Sequence, residues 1–204
     1  YVLSSSKIIQ QMKPDLKYEK LRLLMDTENI NFLDIKKILK SLSNLTVHVL
    51  GDTIIDTYTR TSFIGGQTKT PTFSVLYDKH TDYVGGAGIV SRHLASAGAK
   101  VNFSTVAGKD KYVKFLKKIM NNDNINLNLV IDPTRPTTNK NVIISGNYRL
   151  LKLDSLDNSP VSSDIVNQLS KYIKNVKSDA IIFSDFRHGI FNKDNIPKYI
   201  KNIK

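Results

Sequence analysis

The chain has 204 residues, 40% of them hydrophobic and 24% charged, with a formal net charge of +12 and no cysteine. That length can bury a real core, and no apolar run approaches the ~18 residues of a membrane span, so a globular domain, alone or with an extension, is expected. The missing cysteines remove disulfides, thiolate catalysis and thiolate metal sites, and fit a cytoplasmic protein. The lysines are scattered along the whole length among Asn and Ile, as in Lys36-Lys37, Lys117-Lys118 and Lys201, with no Arg-rich block. Neither nucleic acid nor a membrane is therefore expected as a partner.

Tyr1–Ser6 shows neither an initiator Met nor a basic segment before an apolar one, so the chain is expected to begin inside a longer protein. Ser4 or Ser5 can cap a helix over Lys7–Lys13 that Pro14-Asp15 breaks, and Lys17–Met25 and Phe32–Leu42 carry apolar residues at three- and four-residue spacing. Residues 1–43 thus read as a helical extension or linker. Leu45–Leu50 is a β-branched, apolar run ending at Gly51-Asp52, the pattern of a buried strand. Thr57–Ser62 and Thr72–Tyr83 read as strands around Gly65-Gly66, followed by a helix at Ile89–Ala97, a strand at Val101–Val106 and a helix at Lys111–Met120. Leu127–Ile131, Thr138–Ser145 and Arg149–Leu153 read as strands, with Gly146-Asn147 as a hairpin turn. Ser162–Val176 reads as a helix and Ala180–Ser184 as a buried strand ending in Asp185, and Asn192 caps a last helix running to Lys204.

Strands alternating with helices of this length predict an α/β fold with a mostly parallel sheet covered on both faces. The paired strands before Gly85 break that rhythm and suggest a small projecting β flap. Ligands of open parallel sheets bind at the carboxyl ends of the strands, so Asp52, Asp56, Gly85–Gly88, Gly108, Asp110 and Asp185 are expected to gather on one edge. The cluster Gly85-Gly86-Ala87-Gly88 runs straight into a helix, which serves either a close approach to a ligand or a tight turn.

The order Val49-Leu50-Gly51-Asp52-Thr53-Ile54-Ile55-Asp56, then Thr70-Pro71, Gly85-Gly86-Ala87-Gly88 and Ala95-Ser96-Ala97-Gly98-Ala99 resembles the N-terminal part of a ribokinase-like (PfkB) sugar kinase. Pro136-Thr137-Thr138-Asn139-Lys140, Asn147–Asp154 and Ser184-Asp185-Phe186-Arg187-His188-Gly189 are similar to its heptose-phosphate kinase branch. The resemblance implies that residues 44–204 form the N-terminal part of a kinase domain that transfers phosphate from ATP, with Mg2+, to a sugar or sugar phosphate. It implies sugar contacts for Asp56 and Asp52, a flap hinge at Gly85 and Gly86, close approach at Gly88, a contact with the sugar's phosphate for Lys140, a substrate contact for Lys152 where relatives often have Arg, and a nucleotide-side place for Asp185. Read from the residues alone, Asp52 serves equally as a turn or helix-end cap, the two lysines as solvated surface, and His188 as a structural group. The resemblance also implies a homodimer through the flap.

The chain departs from the family at Ile89, where an Asn is expected, and at Val142, where an Arg is expected. The catalytic Gly-Ala-Gly-Asp segment and the magnesium-linked Asn-x-x-Glu motif do not occur in it, so the domain is expected to be incomplete, with no catalytic residue and no assigned metal ligand. Ser4-Ser5-Ser6-Lys7-Ile8-Ile9 resembles the helix start near the end of a nucleotidyltransferase, which suggests a nucleotidyltransferase–kinase fusion in the synthesis of activated sugars. The alternative expectation is a non-catalytic ribokinase-like protein that serves assembly or sugar binding.

Overall fold

The structure, a computed structural model, describes residues 16–65 and 72–203. The helix expected over Lys7–Lys13 with its serine cap and Pro14-Asp15 stop, Gly66, Thr70-Pro71 and Lys204 lie outside the described residues. The chain divides into two compact units between Leu42 and Ser43.

In the first unit, α1 (Leu16–Thr27) and α2 (Phe32–Leu42) are joined by a four-residue turn. Asn29 takes the left-handed conformation, φ 52°, that ends a helix, while the Ile30 N–H bonds back to the Met25 carbonyl at 2.8 Å. Asn31 then caps α2: its side chain accepts the Asp34 N–H at 3.0 Å, and the Asp34 carboxylate accepts the Asn31 N–H at 3.3 Å.

The second unit is built on two four-stranded sheets. The first is all parallel, in the order β5 (Ile125–Asp132), β4 (Lys100–Gly108), β1 (Thr46–Gly51), β8 (Ala180–Ser184). Both of its faces are covered, which is why β1 and β8 read as near-continuous apolar runs. Val47 and Val49 point to one side and pack with Ala87 and Ala95 of α3 (Ala87–Ser96) and Leu116 of α4 (Tyr112–Ile119). Leu50 points to the other side and joins Val166, Leu169 and Ile173 of α5 (Ser163–Asn175) and Tyr199 of α6 (Ile196–Ile200). Ser162 starts α5 by accepting the Ile165 N–H at 3.4 Å.

The second sheet has the order β3 (Ser74–Gly86), β2 (Thr53–Gly65), β6 (Asn139–Ser145), β7 (Tyr148–Ser155) and shares no strand pairing with the first. It is the expected flap, but larger. The β6–β7 hairpin, turned by Gly146 at φ 57°, joins the β2–β3 hairpin because β6 runs parallel to β2 from Asn139 against Ile55 to Ser145 against Thr61. The last helix is shorter than expected. Asn192 caps a turn by accepting the N–H groups of Asp194 and Asn195 at 2.8 and 2.9 Å, and α6 begins only at Ile196, with Pro197 in its first turn. No helix among the described residues is long and apolar enough to cross a membrane.

Candidate functional site

Side chains alternate across a strand, so every second residue of β2 shares a face of the second sheet with its register partners on β3, β6 and β7. Three rows result on one face. The first holds Tyr83, Asp56, Lys140 and Asp154; the next Thr81, Tyr58, Val142 and Lys152; the third Lys79, Arg60, Ile144 and Arg149. The tertiary pairing therefore brings Asp56, Lys140 and Lys152, far apart in sequence, onto a single surface. Asp56, Tyr58, Arg60, Thr81 and Tyr83 line a hollow of about 450 Å³ on it. Tyr58 and Tyr83 meet edge to face, 5.8 Å between ring centres. Asp56 makes no hydrogen bond or ion pair among the described residues, whereas Lys152 Nζ lies 3.4 Å from Asp154 Oδ2.

Two charges of this face reach the loop after β8 electrostatically. The positive charge of Lys140 and the negative charge of Asp154 both act on His188 in that loop. Burial, with a smaller push from Lys140, holds the His188 imidazole below its ordinary range against the attraction of Asp52 and Asp185. His188 Nδ1 is 2.7 Å from Asn158 Oδ1, and its Nε2 is buried without a partner.

Asp52 is buried at the carboxyl end of β1, where its Oδ2 accepts the backbone N–H groups of Phe186 and His188 at 2.9 and 3.2 Å. Burial raises its pKa, and the two N–H donors act in the opposite sense. Asp185, exposed at the end of β8, accepts the Arg187 N–H at 2.7 Å. Asp52 and Asp185 thus sit together at the strand ends, as expected, while Asp56 stands beyond them on the second sheet. Asp110, expected on the same edge, is occupied: it accepts the N–H and hydroxyl of Thr137 at 2.8 and 3.0 Å.

The glycines divide by role. Gly85 and Gly86 end β3 opposite Ile54 and Thr53. A Cβ on Gly85 would overlap the Asp56 carboxylate, and one on Gly86, at φ 57°, would overlap the Asp52 carbonyl. Gly88 instead makes room for Val84 and Met120 in the core, so its close approach is to the protein's own packing. Ile89 lies half-buried in the first turn of α3.

Arg135, which the sequence did not single out, organises the crossover from β5 to β6. Its Nε bonds Asp132 Oδ2 at 2.9 Å, its Nη1 the His188 carbonyl at 3.3 Å, and its Nη2 the carbonyls of Ser159 and Pro160 at 3.1 and 3.3 Å. The segment Asp132–Arg135, just before the Pro136–Lys140 motif, carries no periodic or motif signal that would have marked the arginine. Among the described residues no group of three or more His, Cys, Asp or Glu side chains could hold a metal ion.

The family model "pfkB family carbohydrate kinase" matches residues 44–182. The bifunctional protein HldE of Sulfurimonas denitrificans is 32% identical over 163 residues, 78% of this chain and 34% of the relative. The chain spans about a third of the length of the curated relatives it matches. Among solved structures, the tetrameric inhibited form of phosphofructokinase-2 from Escherichia coli superposes with a TM-score of 0.57 at 17% identity, covering 78% of this chain and 53% of that one. Arabidopsis thaliana ribokinase, complexed with ribose and ATP, gives 0.52 at 14% identity, covering 78% and 50%.

Proposed function

This chain belongs to the pfkB family of carbohydrate kinases, and from that premise we propose that it forms the sugar-binding side of a kinase that moves a phosphoryl group from ATP to a hydroxyl of a heptose-phosphate-type sugar. In this reading residues 44–204 are the N-terminal part of the kinase domain, and residues 1–43 are an extension from a preceding nucleotidyltransferase, so that the whole protein makes a nucleotide-activated sugar. The observation that carries the reading is the half-buried Asp56, whose side chain has no partner among the described residues, beside Lys140 and Tyr83 on a face whose Lys140 and Asp154 charges reach His188 in the loop that Asp52 holds.

A kinase of this kind must hold the sugar, exclude water and balance the charge of the moving phosphoryl group. Asp56 accepts two sugar hydroxyls as a charge-assisted clamp. Lys140 and Lys152 supply positive charge on the same face, which favours a sugar that already carries a phosphate. Gly85 and Gly86 join the sugar-binding face to α3 and let it close over the substrate. Asp52 acts on the sugar through the loop it holds, and Asp185 faces the nucleotide. The catalytic Gly-Ala-Gly-Asp and magnesium-linked Asn-x-x-Glu segments that the resemblance implies do not occur in this sequence, so the metal and most nucleotide contacts are assigned to residues other than these, and the chain by itself is proposed to be inactive. Calorimetry tests this: a heptose phosphate binds the chain weakly and ATP negligibly, and tight ATP binding would overturn it.

The opposite face of the second sheet favours assembly as a further property of the same protein. It exposes Phe63, Tyr77, Tyr148, Leu151 and Leu153, and exposed apolar surface of this kind seeks a partner. We propose a homodimer through it. Sedimentation of the wild type should give twice the monomer mass and Leu151→Glu with Leu153→Glu the monomer; a monomeric wild type refutes it.

A further inference from the structure

The charges on the Asp56 face are unevenly matched. Asp56, Lys140, Asp154 and Lys152 alternate in sign across the first two rows and sum to zero. The third row holds Lys79 directly opposite Arg60, with Arg149 further along it. None of these three makes a hydrogen bond or an ion pair among the described residues. Asp78, the nearest acid in that part of the hairpin, is engaged by the Ser62 hydroxyl at 2.9 Å. Like charges directly opposite on neighbouring strands repel and cost stability. Such a row is eased by an anion.

Arg60 and Asp56 line the same hollow from positions four residues apart on β2, roughly 13 Å at ~3.3 Å per residue. Between them lies the ring of Tyr58, edge to face with Tyr83, which stands beside Asp56. An inorganic anion cannot touch both ends. A molecule with hydroxyl groups at one end and an anion at the other can.

We infer that the third row is the phosphate end of this hollow: a sugar phosphate lies along β2 with its hydroxyls on Asp56, its carbon chain over Tyr58 and Tyr83, and its phosphoryl group on Arg60 and Lys79. The inference rests on the sugar-kinase reading and adds the residues that select a phosphorylated sugar over a free one. The guanidinium grips two phosphate oxygens at once, and Lys79 adds a point charge. Lys140, flanked by Asp56 and Asp154, then serves mainly to balance those carboxylates.

Calorimetry on the full chain with sedoheptulose 7-phosphate, sedoheptulose and inorganic phosphate tests this. The doubly substituted Arg60→Gln, Lys79→Gln protein should bind sedoheptulose 7-phosphate about tenfold more weakly or worse, with its affinity for sedoheptulose unchanged, which also reports that it is folded. Arg60→Lys should restore part of the loss. If the double variant binds sedoheptulose 7-phosphate as well as the wild type does, the phosphate lies elsewhere and this inference falls while the sugar-kinase reading stands. If inorganic phosphate binds as tightly as the sugar phosphate, the span from Asp56 is wrong. If the wild type binds neither sugar, both readings fall together.

Discussion

Asp52 accepts the backbone N–H of His188 at 3.2 Å, across 136 residues of sequence, and the same oxygen takes the Phe186 N–H at 2.9 Å. One buried carboxylate at the end of β1 thereby fixes the loop after β8, which two charges of the Asp56 surface reach electrostatically. Asp52→Ala should strand two N–H groups and lower stability by about 1–3 kcal/mol in urea unfolding. Asp52→Asn, which keeps an acceptor oxygen, should lose less. Equal stability of Asp52→Ala and wild type would refute this account.

Arg135 and Asp132 form an ion pair whose side chains are only 9% and 5% exposed. Burial works against the Asp132 charge, yet the bonds from Thr134 and Arg135 outweigh it and hold the carboxyl below its usual range. Removing one partner leaves the other charged and buried, so Arg135→Met should cost about 3–5 kcal/mol. Arg135→Lys should recover only a minor part, because an ammonium cannot reach the three carbonyls at once. Thermal melts of the two variants decide it.

Adjacent glycines should respond differently. Gly86→Ala places a Cβ in the left-handed region and against the Asp52 carbonyl, and should lower stability by at least ~1–2 kcal/mol. In Gly85→Ala the added methyl meets the end of the Asp56 side chain, which can turn away. That variant should stay close to wild type in stability and lose sugar affinity, measured by melting and calorimetry side by side. A Gly85→Ala protein that binds sugar normally would remove Asp56 from the site.

His48 is fully buried, with Nε2 2.8 Å from the Ser104 hydroxyl and Nδ1 without a partner. Burial lowers its pKa from 6.5 to about 4. Between those values the unfolded chain binds the proton and the folded chain does not. Its contribution is therefore fully present above pH 6.5 and is lost as the pH falls toward 4, by about 3 kcal/mol in all. His48→Gln should flatten stability against pH across that window, as read from urea midpoints. An unchanged slope would assign the acid sensitivity to other groups.

The β1 and β8 positions were legible because each is a short apolar run closed by Gly-Asp or Ser-Asp, and a strand buried on both faces needs nothing more. β2 and β3 run further than their apolar patterns suggested, to thirteen residues each. Several of their Thr, Ser and Asp side chains are satisfied across strands, as Thr57 is by Asp82 and Asn139 and Ser62 by Asp78, and single-chain periodicity does not register that support. Asp56 was marked by its place after the first strand as well as by resemblance, Lys140 and Lys152 by resemblance alone. Arg60, Lys79 and Arg135 carried no local signal that marks a site: none belongs to a cap or motif, and Arg135 only closes the turn after β5.

By itself the sequence determined the alternation of strands and helices, and with it an α/β fold, because burial of apolar side chains at periods of two and 3.6 residues is a local demand. Only the tertiary structure decided the register of the β2–β3 hairpin, which sets Arg60 opposite Lys79, and that β6 lies parallel to β2, which sets Asp56 beside Lys140. The β2–β6 register is set by hydrogen bonds between strands more than eighty residues apart, and a shift of one residue would turn the β6 side chains to the other face.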